Sequence, residues 1–192
     1  MTDIAGYIYD TDLPASPVSL EQLELLKTTV LWSNDDTTAL RAAGTVLGDH
    51  VEDILDVWYG FVGSNSHLVA SFNGADGQPS GDYLEAVRLR FGQWIRDLCM
   101  RDWDSAWLAY QHEIAQRHIN TMGDTDHVDS DQTHIAQRYL IAFIVPLTIT
   151  IRDFLTRSGH DTDDVDAMHA AWFKAVTLTA VLWSQPYNPG TW

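Results

Sequence analysis

Apolar positions recur along this chain at the spacing of α-helices, and nowhere do they alternate as strands require. Val51, Ile54, Leu55, Trp58 and Val62 form one stripe, predicting a helix from about Asp49 to Phe61 that Gly63 stops. Leu84, Val87, Phe91, Trp94 or Ile95, and Leu98 form a second, with Asp82 as its cap. Trp107, Ile114 and His118 share a face of a helix starting at Asp104. Val165, Met168, Trp172, Ala175, Leu178 and Leu182 mark the inner face of a last helix, about Thr162 to Trp183. Two helices precede these. Ser19, with Glu21 and Glu24 after it, opens one carrying Leu20, Leu23, Leu26 and Leu31; Asn34 or Asp35 caps the next, which runs to about Leu47.

A long apolar helix is predicted from about Gln132 to Arg157, ended by Gly159 and interrupted by Pro146, which lacks the N–H an inner helical turn needs. Between Tyr139 and Ile151 it is apolar or weakly polar all the way round, so one side must face something other than the chain's own core. Residues 73–81 and 121–131 are polar loops, and residues 1–18, with Gly6, Pro14 and Pro17, form an irregular arm that Tyr7 and Tyr9 can anchor. The expected architecture is a single all-α domain spanning 1–192, its helices packed globin-like around a pocket.

Composition narrows the possible partners. The 192 residues are 45% hydrophobic, enough for one sizeable core. Asp and Glu number 27 against 11 Lys and Arg, a formal charge of −16 that repels nucleic acid and anionic membranes. That charge suits either ordinary solubility or a high-salt cytoplasm. Cys99 is the one cysteine, which excludes an internal disulfide and fits a reducing compartment. The N-terminus has no basic start followed by an apolar run, and the stretch Tyr139–Ile151 is short for a bilayer span, so a cytoplasmic protein without membrane contact is expected.

Few residues carry obvious chemistry. His118 lies on an apolar stripe, where a histidine is either a hydrogen-bonded core residue or a ligand to a metal; His112, about 240° round the same helix, faces elsewhere. Trp58 and Tyr59 are adjacent, so one can pack inward while the other edges a pocket with a hydroxyl able to donate; a buried aromatic pair is the plainer reading. Val87 and Phe91 are ordinary core residues by spacing. Arg88 and Arg90 can meet the carboxylates of a ligand or simply be solvated. The acidic stretch Asp124–His134 fails the calcium-loop pattern, lacking its glycine and its final glutamate, and is read as a solvated loop. No phosphate loop, dinucleotide fingerprint or zinc-protease motif is present.

Several stretches, in order and with fitting spacing, resemble the protoglobins, relatives of globin-coupled sensor domains. They are SPVSLEQLELLK (Ser16–Lys27), DILDVWYGFVGS (Asp53–Ser64), AVRLRFGQWI (Ala86–Ile95), AWLAYQHEIAQRH (Ala106–His118), RYLIAFIVPLT (Arg138–Thr148), AWFKAVTL (Ala171–Leu178) and VLWSQPY (Val181–Tyr187). The resemblance implies a globin-like helical sandwich with an N-terminal extension and an extra N-terminal helix, to which residues 1–30 correspond. It implies haem b with His118 as the iron's protein ligand and a diatomic gas, O2, CO or NO, on the other face. The cofactor-binding set it implies is His118, Trp58, Tyr59, Phe72, Val87, Arg90, Phe91, Phe143 and Leu147, with Tyr59 as distal donor. It further implies gas sensing or handling and a homodimer through the last two long helices. The alternative is a haem enzyme with peroxidase, nitric-oxide dioxygenase or nitrite reductase activity, which turnover with a supplied reductant would reveal.

Overall fold

The computed structural model describes residues 4–7, 9, 13–70, 81–119 and 135–192, and among these the chain is helical with no strand. The expected all-α fold is observed. In chain order the helices are α1 (Leu20–Thr29), α2 (Asn34–Asp49), α3 (Val51–Gly63), the single turn α4 (Ser66–Val69), α5 (Gly81–Met100) and α6 (Ser105–Ile119). After them come the consecutive segments α7 (Gln137–Ala142), α8 (Ile144–Ile149) and α9 (Ile151–Leu155), then α10 (Thr162–Ser184).

Local chemistry explains most boundaries. Ser19 caps α1 reciprocally with Gln22, as the serine and early acids suggested. The cap of α2 lies one residue before the expected Asn34: Ser33 accepts from the Asp36 N–H while Asp36 accepts from the Ser33 N–H. Asp104 Oδ1 accepts from the Trp107 N–H at 2.9 Å and starts α6. Gly159, at φ +76°, stops the chain after α9 in a left-handed turn closed to most side chains. Leu20 and Leu31 depart from the expected stripe of α1. Leu31 lies beyond the helix at φ +56° and is 79% exposed, and only Leu23 of that set is fully enclosed.

Pro146 interrupts its helix as its chemistry requires. It has no N–H for the Ala142 carbonyl, and the break falls between, at Phe143. A second break falls at Thr150. The Pro146 carbonyl accepts from both the N–H and the hydroxyl of Thr150. Trp172 Nε1 donates to the Leu147 carbonyl at 3.0 Å, and His169 Nε2 lies 2.9 Å from that of Thr148. Two side chains of α10 thus hold the broken helix in place.

α10 is the central element, packed on α2, α6 and α8, while α2 also packs on α5. Every inward position expected of α10, from Val165 to Leu182, is buried. Trp94 and Ile95 are both buried, so α5 does not choose between them. An ion pair closes the seam between α2 and α10: Lys174 Nζ lies 2.7 Å from Asp36 Oδ1. Burial alone would raise the Asp36 pKa, but hydrogen bonds from Lys174 and Ser33 outweigh it and hold the carboxyl below its usual range.

The helical stretch Gln137–Ser158 corrects one expectation. At 22 residues it is long and apolar enough to cross a bilayer by length and composition, so length by itself does not separate it from a span. Its packing is asymmetric: Leu147, Ile151, Phe154 and Leu155 are buried, while Ile141, Val145 and Ile149, four residues apart, are each at least half exposed. Phe173 on α10 is also about half exposed.

Candidate functional site

One large apolar cavity opens among α3, α5, α6, α8 and α10. Its volume is about 270 Å³, more than ten times what a single water needs and suited to an organic group. Trp58, Tyr59, Val87, Arg90, Phe91, His118, Phe143 and Leu147 all line it. Eight of the nine residues expected at one site are therefore brought together. Phe72 lies outside the described residues, as does the acidic stretch Asp124–His134.

The walls follow from helical periodicity. Trp58 sits on the buried stripe of α3, with Tyr59 one position round, half-buried at the cavity edge. Trp58 Nε1 donates to Thr150 Oγ1 at 2.7 Å, so its N–H is committed to the broken helix and its ring serves as wall. Phe91 packs on Trp58 and on Trp94, with ring centroids 5.0 Å and 5.3 Å away. Burial holds the Tyr59 hydroxyl protonated, against the opposing charge of Arg88, whose guanidinium lies over its ring.

His118 lies near the C-terminus of α6. The residue is half-buried and lines the cavity. Burial, assisted by the neighbouring Arg117 charge, lowers its pKa to about 4, so the imidazole is neutral at physiological pH. Nδ1 is buried with no hydrogen-bond partner among the described residues. Such an imidazole is available as a metal ligand. No group of three or more His, Cys, Asp or Glu side chains suited to a metal ion exists among the described residues. A metal held here would have to bring its remaining ligands with it.

The two arginines considered as carboxylate partners separate. Arg88 pairs with Glu52 and Asp56, both at 2.9 Å, and is not part of the cavity wall. Arg90 is. Arg117 also lines it, and its Nη1 donates to the Gly6 carbonyl at 2.7 Å while Tyr110 Oη donates to the same oxygen at 3.3 Å. This carries the N-terminal arm to the cavity, where Tyr7 forms part of the wall. An apolar slot with one neutral imidazole and two guanidinium groups suits a flat apolar macrocycle that carries a metal and carboxylates.

The protoglobin sequence profile matches residues 19–191. The chain belongs to the Protoglobin family. A search of curated proteins finds no match. The family is one of haem-binding, gas-binding globins, so a haem cofactor and gas ligands follow from membership. The cavity residues fit that group.

Sequence reasoning missed part of the wall. Val176, Thr179, Ala180 and Trp183 line the cavity from α10, and Tyr7, Tyr110, Ile114 and Arg117 from the arm and α6. The α10 set has the spacing of one helical face and was open to detection. The Tyr7 contact, about a hundred residues distant in sequence from Tyr110, was not.

Proposed function

We propose that this protoglobin is a single globin domain that holds haem b through His118 and reversibly binds O2, CO or NO on the face away from α6, in gas sensing or handling. The observation that carries this reading is His118 itself: a neutral imidazole on a helix, lining an apolar cavity, with no cluster of metal-binding side chains beside it among the described residues. Iron in a porphyrin, with one axial position taken and the other open, binds diatomic gases. The remaining tasks fall to side chains. Trp58, Phe91, Phe143 and Leu147 exclude water, Val87 leaves the gas side apolar, and Tyr59 supplies a hydroxyl. Arg90 meets a carboxylate of the cofactor. Buried, free Cys99, whose thiol pKa burial raises, suits a reducing cytoplasm.

The test is the absorbance spectrum of the purified protein, reduced, with and without CO. A haem band that shifts with CO supports the reading, and a colourless protein that takes up no added haemin refutes it.

Tyr59→Phe tests the distal donor. Bound O2 carries more negative charge than bound CO, so a lost hydrogen bond weakens O2 more. At about 0.5–1.5 kcal/mol per hydrogen bond, the O2 dissociation rate should rise about threefold or more, with CO dissociation nearly unchanged. Stopped-flow traces showing equal O2 off-rates in the two proteins would remove Tyr59 from this role.

We also propose a homodimer through the Gln137–Ser158 stretch and α10. Ile141, Val145, Ile149 and Phe173 support it, as exposed apolar side chains on neighbouring elements that a two-fold partner would cover. Light scattering should give a dimer at micromolar concentration, and Ile149→Glu should convert it to a monomer. A monomeric parent protein would refute the interface.

A further inference from the structure

The face of α6 that carries His118 also carries Gln111, seven residues and two turns earlier. Gln111 is 1% exposed. Its Oε1 accepts from Trp183 Nε1 at 3.0 Å. The Trp183 indole in turn rests against the His118 ring, with centroids 4.9 Å apart and planes at 57°. Trp94 closes on its other contact at 5.5 Å. The imidazole is therefore located by an aromatic surface from α10, and that surface is pinned by a buried amide on the histidine's own helix.

What His118 lacks matters equally. A metal-bound histidine ordinarily donates its second N–H to a carbonyl or carboxylate, which fixes the ring and makes it a stronger electron donor. His118 Nδ1 is buried and has no such acceptor among the described residues. Among the described residues no Asp or Glu side chain serves as that acceptor.

We propose that Trp183, pinned by Gln111, orients the His118 imidazole in place of that hydrogen bond. This rests on the reading of His118 as the haem ligand. The ring angle that His118 would present to the iron is then set by the Trp183 face, and an imidazole without an acceptor would be the weaker donor to a metal it holds.

The test is resonance Raman of the haem-loaded, unliganded ferrous protein. Trp183→Phe keeps a packed ring but loses the N–H, and Gln111→Met loses the acceptor at nearly unchanged length. Each should broaden or shift the iron–histidine stretch, and the double variant should do no more than either alone. An unchanged band in both would overturn the proposal. Failure of the underlying reading looks different: either the parent protein takes up no haem, or His118→Gly keeps the iron–histidine band.

Discussion

Replacing His118 by alanine is expected to abolish haem retention. Among the described residues that line the cavity, His118 is the one His, Cys, Asp or Glu side chain. Apolar walls and the arginine contacts would remain, so the variant should still fold and bind porphyrin loosely. Its iron would lose the bond to α6. The measurable result is a haem-to-protein ratio near zero after gel filtration, with helical circular dichroism preserved. Free imidazole added to His118→Gly should restore part of the parent spectrum, because the cavity left by the side chain can admit the ring. Parent-like haem content and spectrum in His118→Ala would sink the assignment, however well the rest of the pocket fits.

The largest expected effect on stability lies far from the pocket, at Gly44. An ideal Cβ built there would sit 2.5 Å from Cys99 Cβ and 2.7 Å from Met100 Sδ, where α2 crosses α5. No real side chain tolerates such distances, and Cys99 is itself buried, so the helices must separate. Overpacking of this kind costs about 1–3 kcal/mol, and the branched side chain of Gly44→Val belongs at the upper end. For a chain of this size, about 3 kcal/mol corresponds to a fall in Tm of about 6–12 °C. Gly60 is the control: nothing lies within 4 Å of its ideal Cβ, and it stands inside α3. Gly60→Ala should raise Tm by up to a few degrees through helix propensity, worth about 1 kcal/mol. Thermal melts of the apo-proteins showing the same sign for both would refute the close crossing.

Helices were legible because their determinants are local. The stripes of α3, α5 and α10 recur at three- and four-residue spacing, and the caps at Ser19 and Asp104 need partners only three residues away. The loss of the helical bond at Pro146 was legible for the same reason, as a property of one residue. Boundaries misplaced by a residue, such as the Ser33 cap, reflect competition among neighbouring Ser, Asn and Asp, which periodicity does not rank.

The site divides along the same line. The family stretches singled out His118 and the aromatic walls, and eight of those residues do meet around one cavity. Nothing local in the sequence says that Trp183 rests on His118, that Gln111 reaches Trp183, or that Arg117 and Tyr110 share the Gly6 carbonyl. Nor does it say that Arg88 turns outward to Glu52 and Asp56 while Arg90, two residues on, faces the cavity. The sequence by itself determined the helices, because they are written in short-range spacing, and through its resemblance it pointed to the family and to the histidine proposed here as the iron ligand. Tertiary structure alone decided how that histidine is held and which charges face the cavity, because hydrogen-bond partners and burial arise only when helices distant in sequence pack together.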